Sequence, residues 1–132
     1  MTLSEIGVFY DTLTGDSATT SYVPASNIFA SWREFSDSFP CIVLEQIDGS
    51  SMPQLGYVHG GKRRNSGVMQ INIFSKRSPE RVYEISDAID DALLPSPTGI
   101  QGVNKVADRD FYDEEHGSYG KILRYSYFID VV

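Results

Sequence analysis

Apolar residues recur at helical spacing in two segments of the chain. In the first, Thr2-Leu3-Ser4-Glu5 fits a capping box. Starting within it, apolar residues recur at 3-4-3 spacing, at Leu3, Ile6, Tyr10 and Leu13. This spacing predicts an amphipathic helix that ends at Gly15. The second helix is predicted from Pro79 to Leu94, with Ser78 as its cap and Pro95 directly after it.

The second helix divides its residues into an apolar and an acidic face. The apolar stripe comprises Val82, Ile85, Ala88, Ile89, Ala92 and Leu93, and the acidic residues outside it are Glu80, Glu84, Asp87, Asp90 and Asp91. Asp90 and Asp91 lie at the helix end, where the macrodipole disfavours negative charge. Either a partner group offsets this cost, or the surface tolerates it.

Strand patterns occupy four further segments. A β-rich run over 41–47 ends at the turn signal Asp48-Gly49, and a second strand is predicted from about 66 to 75. A closing hairpin is predicted from strands over about 102–112 and 119–131, joined by an acidic turn. The last strand alternates strictly and places Tyr119, Lys121, Leu123, Tyr125, Tyr127, Ile129 and Val131 on one face.

This order of elements predicts an α+β fold, a mainly antiparallel sheet of about four strands with two helices packed on one face. We expect one domain over 1–132, with long loops over 17–39 and 48–66. Four aromatic residues crowd the first loop: Phe29, Trp32, Phe35 and Phe39. Such residues either hold a long loop against the body of the domain or form a surface for a partner.

Composition excludes several classes of protein. The 132 residues carry 11 Lys and Arg against 18 Asp and Glu, a net charge of -7. This balance argues against a general nucleic-acid binder. A single cysteine, Cys41, cannot form an internal disulfide, and no apolar run reaches the length of a membrane helix. We therefore expect a cytosolic type of protein with no secretory signal and no membrane association.

Motifs for catalysis and for cofactors are incomplete. Residues 56–62 match the first seven positions of a phosphate-binding loop, but Arg63 stands where Ser or Thr should bind magnesium, and a strand follows. The acidic run Asp108, Asp110, Asp113, Glu114, Glu115 and His116 lacks calcium-loop spacing, and His59, His116 and Cys41 lack zinc spacing. We expect no catalytic, cofactor or metal site, and no enzymatic activity.

A basic triplet stands out in this acidic chain. Lys62, Arg63 and Arg64 follow several glycines, which predicts the basic tip of a long hairpin connection. Three adjacent charges contribute little unless a complementary surface meets them. The triplet is thus either a solvated tip or a contact with an acidic surface on a neighbouring copy or with DNA passing nearby, and we take it as the candidate contact site.

Several segments in succession resemble the tail terminator (tail completion) proteins of long-tailed bacteriophages. The resemblance lies in Ser38-Phe39-Pro40-Cys41-Ile42-Val43-Leu44, in the strand 67–75, in the helix 79–94 and in the closing strand 119–131. Within the helix, Glu84, Asp87, Ile89, Ala92 and Leu93 stand in comparable places. The family acts through surfaces, so no site residue is carried over.

The resemblance implies a virion protein rather than an enzyme. It implies a homo-oligomeric ring, commonly a hexamer, that caps the completed tail tube at the head-proximal end and helps to join tail to head. Its implied partners are other copies of itself, the major tail tube protein and the head–tail connector, with passive proximity to DNA in the lumen. Assembly would take place in the host cytoplasm. The alternatives are another virion subunit, such as a connector stopper or baseplate component, and a small binding module outside phage biology.

Overall fold

A computed structural model describes residues 5–35, 38–48, 53–59, 62–97 and 99–131. The side chains of residues 48, 53–59, 62–65 and 129–131 are not among those described. The described part of the chain contains three helices and six strands. The helices are α1 (Glu5–Thr14), α2 (Ser17–Tyr22) and α3 (Pro79–Leu93). The strands are β1 (Ile28–Phe29), β2 (Cys41–Asp48), β3 (Pro53–His59), β4 (Lys62–Ser75), β5 (Gln101–Asp113) and β6 (Ser118–Val131). Short 3-10 turns cover Ala25–Asn27 and Trp32–Glu34.

One mixed, mainly antiparallel sheet runs through the fold in the order β1-β2-β4-β6-β5. Only β1 pairs in parallel, with β2, and β3 pairs with β4. The central pair β4–β6 keeps one register from Arg63↔Val131 to Ser75↔Tyr119. The α+β fold is therefore confirmed, with two more strands and one more helix than the sequence predicts.

The extra elements lie in the two segments predicted as long loops. Segment 17–39 contains α2, β1 and both 3-10 turns, and segment 48–66 contains β3 and the first residues of β4. The short β1 carries no periodic signal, and a glycine-rich hairpin has the composition of a loop. None of the described helices combines the length and the apolar character that crossing a membrane requires.

The main core lies between the helices and one face of the sheet. On β4 and β6, the residues buried in this core are Met69, Ile71, Ile73, Leu123, Tyr125 and Tyr127, and the last three share one face of the closing strand, as its alternation predicts. Helix α3 adds Val82, Ile85, Ile89 and Leu93, as its apolar stripe predicts. Its bounds differ from the prediction only at Leu94, which caps the helix.

The buried face of α1 differs from its prediction. Val8, Phe9 and Leu13 are the buried residues, while Ile6 and Tyr10 are only partly buried. Phe9 packs edge-on against Tyr127, with ring centroids 5.2 Å apart. Because α1 contacts β1 and β2 as well as both other helices, its buried stripe is turned from the one expected. Residues 2–4 of the predicted capping box lie outside the described residues.

A second, aromatic core covers the opposite face of the sheet. Phe29 is 7% exposed and joins Cys41, Val43 and Phe74, and Phe35, Phe39 and Phe111 pack against this group. The interpretation that the aromatic residues of 17–39 hold the segment against the body is thus confirmed. Trp32, at its edge, donates from Nε1 to Glu45 Oε1 at 2.8 Å and stays 42% exposed.

Gly120 shapes this second core because it has no side chain. It pairs with Phe74 on one side and with Phe111 on the other. A Cβ there would lie 2.1 Å from Cζ of Phe111. The Phe111 ring therefore occupies the space above Gly120 and packs against Phe74, with centroids 5.5 Å apart.

The Tyr125→Asp variant tests the inward face of β6. Tyr125 is fully buried and its hydroxyl donates to Asp90 of α3. An aspartate there would place a second carboxylate beside Asp90 in the core, so we expect a loss of more than about 4 kcal/mol of unfolding free energy. Urea unfolding followed by circular dichroism measures it.

Tyr125→Phe is the matched control, because it keeps the ring and loses only the hydrogen bond. We expect it to cost about 1–2 kcal/mol. Native stability of the aspartate variant would mean that β6 presents its other face to α3.

Candidate functional site

The basic triplet lies at one end of the sheet, within strand β4. Lys62 pairs with His59 of β3, and the two residues between them are glycines, which two-residue hairpin turns favour. Arg63 and Arg64 also pair with Val131 and Asp130 of β6. The triplet therefore lies at the end of a hairpin, as predicted, but in a paired strand rather than in a loop. Its side chains lie outside the described set.

The hairpin of β3 and β4 extends the sheet beyond its helix-covered part. Strand β2 pairs with β4 only between Val68 and Phe74, and β3 takes its place along the same edge from Asn65 to Lys62. At about 3.3 Å per residue, Lys62 lies about 20 Å beyond the last β2 pair. The contact role expected for Lys62, Arg63 and Arg64 remains a prediction.

A network of charged side chains lies under α3, on the helix face of β5 and β6. Lys121 is 7% exposed, and its Nζ lies 2.8 Å from Asp108 Oδ1 and 3.3 Å from Asp110 Oδ1. Lys105 bridges two carboxylates, with its Nζ 3.0 Å from Asp90 Oδ2 and 2.6 Å from Asp108 Oδ2. Asp90 is thus compensated within the chain itself, although it lies at the unfavourable end of α3.

In this network, the pKa of Asp108 is lower, and the pKa values of Lys121 and Tyr125 are higher, than the ordinary values of these groups. Burial acts to raise the pKa of Asp108, but hydrogen bonds from Lys105 and Lys121 outweigh it and hold the pKa below its ordinary value. Burial acts to lower the pKa of Lys121, and hydrogen bonds to Asp108 and Asp110 more than offset it, so that this pKa is raised. Burial, together with the hydrogen bond to Asp90, raises the pKa of Tyr125. None of these groups is adjusted for proton transfer near neutral pH, so the network is structural.

The acidic turn brings three potential metal ligands together. Oxygen or nitrogen atoms of Asp113, Glu115 and His116 lie within 4.8 Å of one another. The turn itself explains this grouping, because Asp113 contacts His116 Nδ1 at 2.7 Å and accepts from the Glu115 backbone N–H at 3.1 Å. The hydrogen bond to His116 lowers the pKa of Asp113. Asp108 and Asp110, which the sequence places in the same acidic run, pair with lysines instead.

Sequence analysis missed a second basic group, formed by Lys76, Arg77 and Arg81. It lies around a cavity between the end of β4, the first turn of α3, α2 and the start of β2. The available signal in the sequence was the pair Lys76-Arg77 directly after a strand, followed by Arg81 in the first turn of the helix. The aromatic residues that complete the cavity come from distant parts of the chain, which no local pattern reveals.

Comparison with known proteins gives one family match and several solved structures of similar fold. The family described as tail completion protein gp17 matches residues 8–130. No curated protein matches the chain. One matching solved chain, from the virion of a native gene transfer agent particle, gives a TM-score of 0.72 at 12% identity, over 96% of this chain and 95% of that one. At this identity the likeness shows a shared fold.

Asp108→Asn tests the charged network. At neutral pH we expect a loss of about 1 kcal/mol, discounted for the partial exposure of Asp108, because the buried Lys121 loses a charged acceptor. The folded pKa of Asp108 lies below its ordinary 3.8, so its contribution is complete above that pH and is lost as pH falls through the folded pKa. Thermal melts of variant and wild type should therefore converge below about pH 3.8.

Asp87→Asn, at an exposed position of α3, is the control and should leave the melting temperature nearly unchanged at every pH. A deficit in Asp108→Asn that persists unchanged at low pH would contradict the ion pairing described for Asp108.

Proposed function

Because the chain belongs to the family of the tail completion protein gp17, we propose that it caps the finished tail tube of a phage-like particle as a ring and helps to join the tail to the head. The ring is a homo-oligomer, with six copies as the expected number. Its role is structural, it lies at the head-proximal end of the tail, and it assembles in the host cytoplasm. Its neighbours are the major tail tube protein and the head–tail connector.

The observation that carries the ring proposal is the position of the basic triplet and of the acidic turn at opposite ends of the sheet. Lys62, Arg63 and Arg64 lie at one end of β4, while Ser75 at its other end pairs with Tyr119, next to the acidic turn 113–116. Lys62 and Ser75 are thirteen residue steps apart along the strand, which corresponds to about 40 Å. Copies can meet head to tail when two different patches are complementary, and such heterologous contacts close into rings.

The basic hairpin is the part of the ring that we assign to contacts between subunits or to the lumen. It continues the sheet past β2, where it can reach a neighbouring copy or the tube. A hairpin that faces the lumen also lies beside the DNA that passes through it, and its positive charge suits that passive proximity.

Oligomeric state is the first test. Light scattering at high concentration, or with tail tubes present, is expected to give a mass several times the 14.7 kDa of the chain. Electron micrographs should show rings and capped tube ends. A monomer at all concentrations that leaves tubes uncapped would exclude the ring-capping function.

The triple variant Lys62→Ser, Arg63→Ser and Arg64→Ser tests the hairpin. We expect it to weaken ring assembly or tube capping while the melting temperature stays nearly unchanged, because the charges act between molecules. Arg33→Ser with Arg109→Ser, at exposed positions elsewhere, is the control and should assemble normally. Normal capping by the triple variant would remove the triplet from the interface.

A further inference from the structure

The cavity at the start of α3 collects three cations in an otherwise acidic protein. Its volume is about 510 Å³, and Lys76, Arg77 and Arg81 line it. Tyr22 and Phe39 supply aromatic walls. Ligand pockets typically measure about 300–1,000 Å³ and combine apolar walls with a few polar groups, so this cavity has the size and composition of a binding site.

Aromatic rings hold two of the cationic heads at the cavity wall. The Nζ of Lys76 lies 4.7 Å from the centroid of the Phe39 ring, and the guanidinium carbon of Arg81 lies 5.3 Å from that of Tyr22. Cation–π contacts of this kind limit the positions that a long side chain can adopt. The cations are therefore partly organised before any ligand arrives, which lowers the entropic cost of binding.

The three cations carry more positive charge than the described residues neutralise. Among the residues that the structure describes, Glu84 is the carboxylate in salt-bridge contact with this group, 3.4 Å from Arg81. The network under α3 is different, since Lys105 and Lys121 face three aspartates there. Within the described residues, the cavity therefore has an excess of positive charge.

The surroundings of the cavity favour an acidic peptide over DNA. Phe39 contacts His116 of the acidic turn, with ring centroids 5.8 Å apart, and the whole chain carries a charge of -7. A duplex would bring many phosphates against these carboxylates, whereas a short segment can enter the cavity and meet only its cations. Arginine guanidinium groups bind carboxylates in bidentate fashion, and aromatic walls suit the apolar parts of a peptide.

We propose that this cavity binds a run of carboxylates on a polypeptide. The segment is the acidic turn of a second copy, which exposes Glu114 and Glu115. The proposal rests on the assembly function above only for the source of the segment. Binding itself can be measured on the isolated chain.

A labelled peptide of residues 110–118, DFYDEEHGS, is the probe, and fluorescence anisotropy measures its binding to the wild-type chain. The charge-free control peptide replaces Asp110 and Asp113 by Asn and Glu114 and Glu115 by Gln. We expect saturable binding of the acidic peptide that weakens with added salt. Binding of the control peptide should be at least roughly tenfold weaker.

Lys76→Gln with Arg77→Gln is the test variant, because both side chains are exposed and their loss should not unfold the chain. We expect its peptide affinity to fall roughly tenfold or more with an unchanged melting temperature. Arg33→Gln with Arg109→Gln removes the same charge elsewhere and should bind as the wild type does. Equal affinity of the test and control variants, or equal binding of both peptides, would overturn the proposal.

Sedimentation of the same variants identifies the source of the segment. Loss of self-association together with peptide binding supports a second copy as the source, whereas retained self-association would overturn that source and point to another protein. Binding of a short DNA duplex that requires Lys76 and Arg77, with no binding of the peptide, would also overturn the proposal. A wild-type chain that binds the peptide but never forms rings would exclude ring capping and leave the peptide site standing.

Discussion

The antiparallel pairing of β4 with β6 is the constraint on which the rest of the structure depends. It runs without a register shift from Arg63 to Ser75, so both strands span the sheet from end to end. Side chains of a strand alternate between the two faces of a sheet. The β4–β6 pair therefore contributes side chains to two separate cores, one on each face. It also places the basic triplet and the acidic turn 113–116 at opposite ends of the sheet.

The two faces of the β4–β6 pair are covered by different kinds of elements. Helices bury the aliphatic face, whereas the other face is covered by aromatic residues from the segment before β2 and from β5. The second cover depends on Gly120, whose missing side chain lets the Phe111 ring reach Phe74. The long, aromatic segment 17–39 thus has a structural role that explains its composition, since it shields an otherwise open sheet face.

Periodic features were predictable from the sequence, and features made by distant residues were not. Helix α3 and the alternation of β6 depend on local spacing, and they match their predictions almost to the residue. The buried face of α1 depends on four neighbouring elements, and β1 is a two-residue parallel strand without a pattern of its own. The basic cavity is lined by residues between positions 21 and 81. The sequence alone therefore reveals its basic residues, but not the distant aromatic residues that line it with them.

The positive charges of this protein fall into an internal network and two separate basic groups. Lys105 and Lys121 are matched inside the fold by Asp90, Asp108 and Asp110, and these pairs hold β5 and β6 to α3. Of the 11 Lys and Arg residues, six lie in two other groups, the triplet 62–64 and the cavity group of Lys76, Arg77 and Arg81. The internal network is nearly neutral by itself, so the described ion pairs of Lys105 and Lys121 leave the six cations of the two basic groups outside it. The net charge of the chain is -7, so each basic group is opposite in sign to the chain as a whole.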